Sequence, residues 1–117
     1  MISITKLLCN LPSYGDELRY RENMTAQTRR PIVVWNCTRT CNLACVHCYS
    51  DSAGRKYGGE LTTAEAKQMI LDLEDFRVPV LLFSGGEPLM RADLFELNAF
   101  FFNDNVSTVI YTNGTLI

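Results

Sequence analysis

No apolar run in this sequence approaches the length of a membrane span; Val78 to Phe83, among the longest, is the size of a strand. No block of like charge is long enough to act as a tail, and 11 basic residues against 13 acidic ones leave a net charge of −2. A nucleic-acid partner, which favours a basic face, is therefore not expected. The start, Met1 to Leu11, lacks the basic opening, long apolar run and small-residue cleavage site of a signal peptide, and Lys6 interrupts its apolar residues. The apolar stretch before Leu7-Leu8-Cys9 is too short for a lipidation site. These absences make the cytoplasm the expected location, with no membrane association. There is no low-complexity stretch and no internal repeat with shared residues. At 117 residues, 47% of them hydrophobic, the chain suits one small domain with a modest core rather than a disordered segment.

What the chain does contain is concentrated. Of its five cysteines, Cys9, Cys37, Cys41, Cys45 and Cys48, four fall within twelve residues, and an odd total cannot all pair. In a reducing compartment such a cluster reads as metal binding before it reads as disulfides.

Residues 1–30 read as an N-terminal extension outside the core, with residues 1–8 suited to a short strand. Pro31 opens Ile32-Val33-Val34-Trp35, an apolar, β-branched run typical of a buried strand. The cysteine segment follows, then a Gly-rich loop over 50–60. Thr62 and Glu65 form a capping-box pattern, and Ala66, Met69, Ile70 and Leu73 recur at i, i+3, i+4, i+7, so a helix is predicted over 63–76. Val78 to Phe83 is a second strand, with Pro79 required near its first position. Ser84-Gly85-Gly86-Glu87-Pro88 is the loop after it. Asp93 with Glu96 is expected to cap a second helix over 94–103, apolar on nearly all sides and in need of cover on more than one. Ser107 to Tyr111 is a third strand, and Thr112-Asn113-Gly114 its turn. Crossovers of helical length demand parallel pairing, in the right-handed sense.

Cys41-Asn-Leu-Ala-Cys45-Val-His-Cys48 has the spacing Cys-x3-Cys-x2-Cys. Three thiolates on one short loop can bind three irons of a 4Fe-4S cube, whereas ordinary electron-transfer clusters use four cysteines. One iron is then left for another ligand. Structural zinc needs four ligands, commonly in two separated pairs, and no second pair follows here. Cys37 is available as a fourth thiolate but belongs at the end of the first strand, and His47 adjoins Cys48 too closely for easy tetrahedral ligation by both. A small metal-binding or redox-sensing module built on Cys37, Cys41, Cys45 and Cys48 thus stays open, as does a plain α/β domain with incidental thiols. Neither employs Gly85 to Pro88. Every candidate group follows the carboxyl end of a strand, where parallel α/β folds gather ligands.

The cysteine loop resembles the signature of the radical SAM (S-adenosylmethionine) superfamily. Ser84-Gly85-Gly86-Glu87-Pro88 is similar to that superfamily's glycine-glycine-glutamate-proline motif and follows the second strand, as it does there. Thr112-Asn113-Gly114 also fits. The resemblance implies an α/β fold, the N-terminal part of a parallel (βα)6 partial TIM-like barrel with about three βα units present. Residues 31–117 would be an incomplete radical SAM core domain. It implies Cys41, Cys45 and Cys48 as metal ligands, with SAM chelating the open iron through its amino and carboxylate groups. Gly85 and Gly86 would let backbone approach the methionine of SAM. Glu87 would accept from its ammonium group, and Pro88 would stiffen the loop. His47 and Tyr49 flank the last ligand where the family packs adenine, with Tyr49 equally suited to the core. Asn113 would either touch SAM or serve as a turn residue. One electron from the reduced cluster would then yield a 5′-deoxyadenosyl radical that abstracts a substrate hydrogen.

Pro31-Ile-Val-Val-Trp-Asn, Cys41 to Tyr49 and the opening Ile-Ser-Ile-Thr-Lys-Leu look like the heme-biosynthesis branch. Its members trim side chains of didecarboxysiroheme, and the deacetylase type is the most similar. Peptide-modifying maturases of the SPASM type share much of the segment, so the implied substrate is a tetrapyrrole or a peptide. The implied electron donor is a ferredoxin or flavodoxin. Cys37 stands where that branch is expected to carry another residue. With the later strands absent, the third strand keeps an open edge and the helices an apolar surface. The segment alone is expected to bind a cluster poorly and to catalyse little.

Overall fold

The computed structural model describes residues 30–100 and 106–117. The expected strand over 1–8, the rest of the extension up to residue 29, Cys9, and positions 101–103 of the second helix lie outside them. Three strands, β1 (Val33–Thr38), β2 (Val80–Gly85) and β3 (Ser107–Ile110), form one sheet in the order β1-β2-β3. Both pairings are parallel, as the crossover lengths require. Helix α1 (Thr63–Asp75) lies in the first crossover, and a 3-10 turn (Pro88–Met90) and helix α2 (Leu94–Phe100) in the second.

Alternation along the strands divides the sheet. Cys37, Leu81 and Phe83 pack with Ala66 and Ile70 of α1 and Leu94 and Leu97 of α2, so both helices cover one face. Trp35 and its register partner Phe83 meet ring to ring at 5.6 Å. Each large apolar side chain fully buried here contributes roughly 1.5–3 kcal/mol. Val34, Leu82 and Val109 are register partners on the opposite face. Val34 there is 56% exposed. A sheet with helices on one side and apolar residues on the other is the geometry of a barrel wall. Among the described residues no helix is long and apolar enough to cross a membrane.

Three boundaries differ from expectation. β1 continues through Asn36 and Cys37 to Thr38 because Cys37 still faces the core. β2 begins at Val80 and keeps Ser84 and Gly85 in its ladder, opposite Asn36 and Thr38, so those two residues are strand and not loop. Pro79 lies just before the strand, where its missing N–H is harmless and its carbonyl accepts from Ser107 N at 3.0 Å. β3 ends at Ile110, although Tyr111 N still donates to Phe83 O at 2.9 Å.

The Thr62–Glu65 capping box forms as read: Glu65 Oε2 accepts from Thr62 N at 2.8 Å, and Thr62 Oγ1 accepts from Glu65 N. The same Thr62 groups hold the Glu65 carboxyl below the usual carboxylate range. At the other end Arg77 has φ 60°, with Val78 N bonded to Leu73 O and Arg77 N to Glu74 O. That is a Schellman closure with arginine where glycine is favoured. The left-handed position costs a side-chain-bearing residue about 1–2 kcal/mol, and glycine would return part of this as unfolded-chain freedom. Arg77→Gly should therefore raise stability by about 0.5–1 kcal/mol, seen as a higher urea midpoint at unchanged m-value.

The second helix is capped differently from its sequence pattern. Asp93 O accepts from Leu97 N at 2.9 Å. The Asp93 carboxylate, however, bonds Thr63 Oγ1 (2.6 Å) and Arg91 Nη2 (3.0 Å), and Glu96 pairs with Lys67 on α1. Charge-assisted tertiary partners take the place of the local cap. The helix buries Leu94 and Leu97 and leaves Phe95 and Phe100 exposed.

Candidate functional site

The three strand ends carry the candidate residues to one rim, and main-chain hydrogen bonds lock them there. Gly86 N donates to Thr38 O at 2.7 Å and Glu87 N to Thr40 O at 2.9 Å. The segment after β2 thus lies flat on the chain that leads into the cysteine loop. A Cβ on Gly85, at φ +132°, would overlap the Thr38 carbonyl. One on Gly86 would overlap Thr40 O and come within 2.8 Å of Arg39 O. The space made by the missing side chains is filled by Thr38–Thr40 main chain. The glycine pair is therefore required by loop-on-loop packing.

Glu87 is fully buried. Its Oε1 accepts from Leu89 N and from Thr112 Oγ1, both at 2.9 Å, and its Oε2 from Asn113 N at 2.7 Å. Three protein donors occupy most of the roughly four acceptor sites of a carboxylate. Glu87 thereby ties the turn after β3 to the turn after β2. Pro88, also buried, starts the 3-10 turn at its N1 position.

Asn113 acts as a turn residue and bridges as well. Its Oδ1 accepts from Thr115 N at 2.9 Å, and its Nδ2 donates to Asn42 Oδ1 at 2.9 Å and to Cys41 Sγ at 3.9 Å. Cys41 is buried and also takes Leu43 N at 3.4 Å. Cys45 is exposed. Cys48 Sγ lies 3.4 Å from Ser50 Oγ. The Ser50 hydroxyl, followed by the Ser52 and Ser50 backbone, brings the Cys48 thiol down to about 7. Tyr49 is 76% exposed and so is not core; its hydroxyl donates to Asn36 Oδ1 at 3.2 Å, at the ends of β1 and β2. His47 is exposed on the turn between Cys45 and Cys48.

Cys37 is separate from this group. It is 2% exposed within the hydrophobic core, and burial pushes its thiol up to about 11 despite the nearby Arg91. The reading that makes it a fourth ligand fails because its side chain points to the helical face of the sheet.

Among the described residues no three His, Cys, Asp or Glu side chains converge enough to hold one metal ion. Thiolates that each take a different corner of a cube do not converge on a point. The donor set fits such a cube: three sulfurs on one loop, two of them already facing N–H or O–H donors of the kind that support metal thiolates.

Several contacts that shape the rim carried no signal in the sequence. Glu60 Oε1 accepts from Thr38 Oγ1 and Arg39 N. Arg39 reaches Ser50 O and Asp51 and lies 4.3 Å over the Tyr57 ring. Thr112 and Ser50 likewise act through partners 25 and 35 positions away. Nothing in local spacing marks such contacts.

A sequence profile described as the Radical SAM superfamily matches residues 35–117. An Fe-coproporphyrin III synthase of Methanosarcina barkeri is 46% identical over 126 residues, covering 100% of this chain and 32% of its own length. A pre-heme d1 synthase of Dinoroseobacter shibae is 54% identical over 70 residues, covering 60% and 17%. A mycofactocin maturase of Mycobacterium tuberculosis is 41% identical over 85 residues, covering 73% and 22%. The chain spans about a third or less of the length of these relatives. No solved structure matches.

Proposed function

The chain belongs to the radical SAM superfamily, and on that premise we propose that it is of the heme-biosynthesis branch and that Cys41, Cys45 and Cys48 hold a 4Fe-4S cluster whose remaining iron binds SAM. The observation that carries this reading is the clamp of the cysteine loop, through Thr38 and Thr40, onto Gly86 and Glu87, with Asn113 reaching back to Cys41. When bound, the cluster would supply the electron for reductive cleavage of SAM. The protein's own part is placement. Gly85, Gly86 and Pro88 hold the methionine side of the pocket against the loop, and Glu87 keeps the Asn113 turn beside it. Tyr49, anchored at its hydroxyl, offers an exposed ring to adenine next to His47.

The substrate class best supported is a siroheme-derived tetrapyrrole losing a side chain, in the cytoplasm, with a ferredoxin or flavodoxin as electron donor. Two of the relatives described above are named for heme-related synthases, and one of them aligns along the whole chain. A peptide substrate is the second reading, favoured by the mycofactocin maturase similarity.

Anaerobic reconstitution of the whole protein with iron and sulfide, followed by electron paramagnetic resonance, tests the site. A reduced-cluster signal that changes on adding SAM is expected; a protein that takes up no iron, or whose cluster ignores SAM, defeats the proposal. Cys37→Ala should keep the parent's iron content per chain. It should lose on the order of 1 kcal/mol of stability to the cavity. Loss of iron from a folded variant would restore Cys37 as a ligand.

A further inference from the structure

Ser50 sits at a junction that the three-thiolate reading does not use. Its Oγ is 3.4 Å from Cys48 Sγ, 2.7 Å from Ser52 Oγ and 3.4 Å from Gly85 O. Ser52 is buried at 8% exposure. Ser50 therefore has three partners and a single hydroxyl hydrogen.

The state of Cys48 decides where that hydrogen goes. A thiol can donate its own hydrogen to Ser50, which is then free to donate to Ser52 or to the Gly85 carbonyl. A metal-bound thiolate has no hydrogen and only accepts. Ser50 must then donate to the sulfur, and Ser52 completes the chain by donating to Ser50. With its one hydrogen on the sulfur, Ser50 no longer donates to the Gly85 carbonyl, and Ser52 is what orients it.

We propose that Ser50 is a positioning residue whose hydroxyl, oriented by Ser52, donates to the Cys48 thiolate and raises the reduction potential of the cluster bound there. The inference rests on the three-cysteine cluster proposed above. Reduction adds negative charge that the thiolate sulfurs share, and a hydrogen-bond donor favours the more negative state. Ser50 would thus set how strong a reductant is needed to charge the site.

Redox titration with dithionite, read by electron paramagnetic resonance on the whole protein purified without oxygen, measures this directly. Ser50→Ala should shift the reduction equilibrium about tenfold toward the oxidised state, about 59 mV for one electron. Ser50→Thr, which keeps a hydroxyl, should stay close to the parent, and Ser52→Ala should fall between the two. Iron per chain is measured on each variant. A parent protein without a cluster overturns the three-thiolate reading. A loaded Ser50→Ala with the parent's midpoint overturns the relay and leaves that reading intact. If Ser50→Ala does not load, Ser52→Ala decides: a lowered midpoint supports the relay, and the parent's midpoint overturns it.

Discussion

Glu87→Ala is expected to remove about 4 kcal/mol or more of folding stability, enough to unfold a domain of ordinary stability, about 5–15 kcal/mol. The carboxylate is fully buried, and the change would strand the Leu89 N–H, the Asn113 N–H and the Thr112 hydroxyl. Each donor left alone costs up to about 1–3 kcal/mol where water cannot replace the carboxylate, and the cavity adds to that. Glu87→Gln separates clamp from ligand. Its oxygen can keep Leu89 and Thr112, but its NH2 then faces the Asn113 N–H, a donor against a donor. A loss of about 1–3 kcal/mol is expected. Urea unfolding is the measurement, made on protein without iron or SAM. A Gln variant as stable as its parent in that state would show that the clamp carries little. The residue's role would then have to come from a ligand.

Arg91→Ala should cost about 3–5 kcal/mol, the usual penalty for removing one partner of a buried ion pair. The Arg91 side chain is 8% exposed and pairs with Asp93, itself 16% exposed. The guanidinium also donates to Cys37 O at 2.9 Å and Leu61 O at 2.8 Å, and lies 5.2 Å from the Trp35 ring centroid. One side chain so joins the end of β1, the entry to α1 and the start of α2. The variant leaves two carbonyls and a carboxylate short of donors.

The pH dependence gives this prediction a second reading. Burial pushes the Asp93 carboxyl up, but the Arg91 and Thr63 hydrogen bonds outweigh it and hold the group below its ordinary value. A carboxyl depressed on folding stabilises above its unfolded value, about 3.9, and that contribution is lost as pH falls through the folded value. Without Arg91 the upward pull of burial is opposed by the Thr63 bond and the Asp93 backbone N–H alone. The deficit of Arg91→Ala should therefore be largest near neutral pH and shrink below about pH 4. Urea midpoints of parent and variant at about pH 7, 5 and 3 check this. A deficit that does not vary with pH would mean that the lost contacts to Cys37 O and Leu61 O dominate over the ion pair.

The elements legible in advance were those specified by neighbours in the chain. The α1 capping box needs only Thr62 and Glu65, three residues apart, and it forms as read. The parallel order follows from crossover length, and the cysteine spacing is itself a local pattern. The Asp93–Glu96 pattern looked equally local, yet Arg91, Thr63 and Lys67 claim both carboxylates. The end of α1 was read to within a residue, but not the turn that closes it, because Arg77 adopts a conformation that glycine usually advertises.

By itself, the sequence determined the chemistry available at the rim: three thiols on one loop, a glycine pair and a carboxylate after the next strand, an asparagine turn after the third. Residue type and short-range spacing suffice for that. Only the tertiary structure decided how those groups are used. It turned Cys37 into the core while Cys41 and Cys48 face the rim, filled the glycine spaces with the Thr38–Thr40 main chain, and buried Glu87 under three donors. The reason is that these outcomes depend on which strand lies beside which. A pairing such as Thr38 with Gly85 joins positions far apart in the chain, beyond the reach of any local pattern.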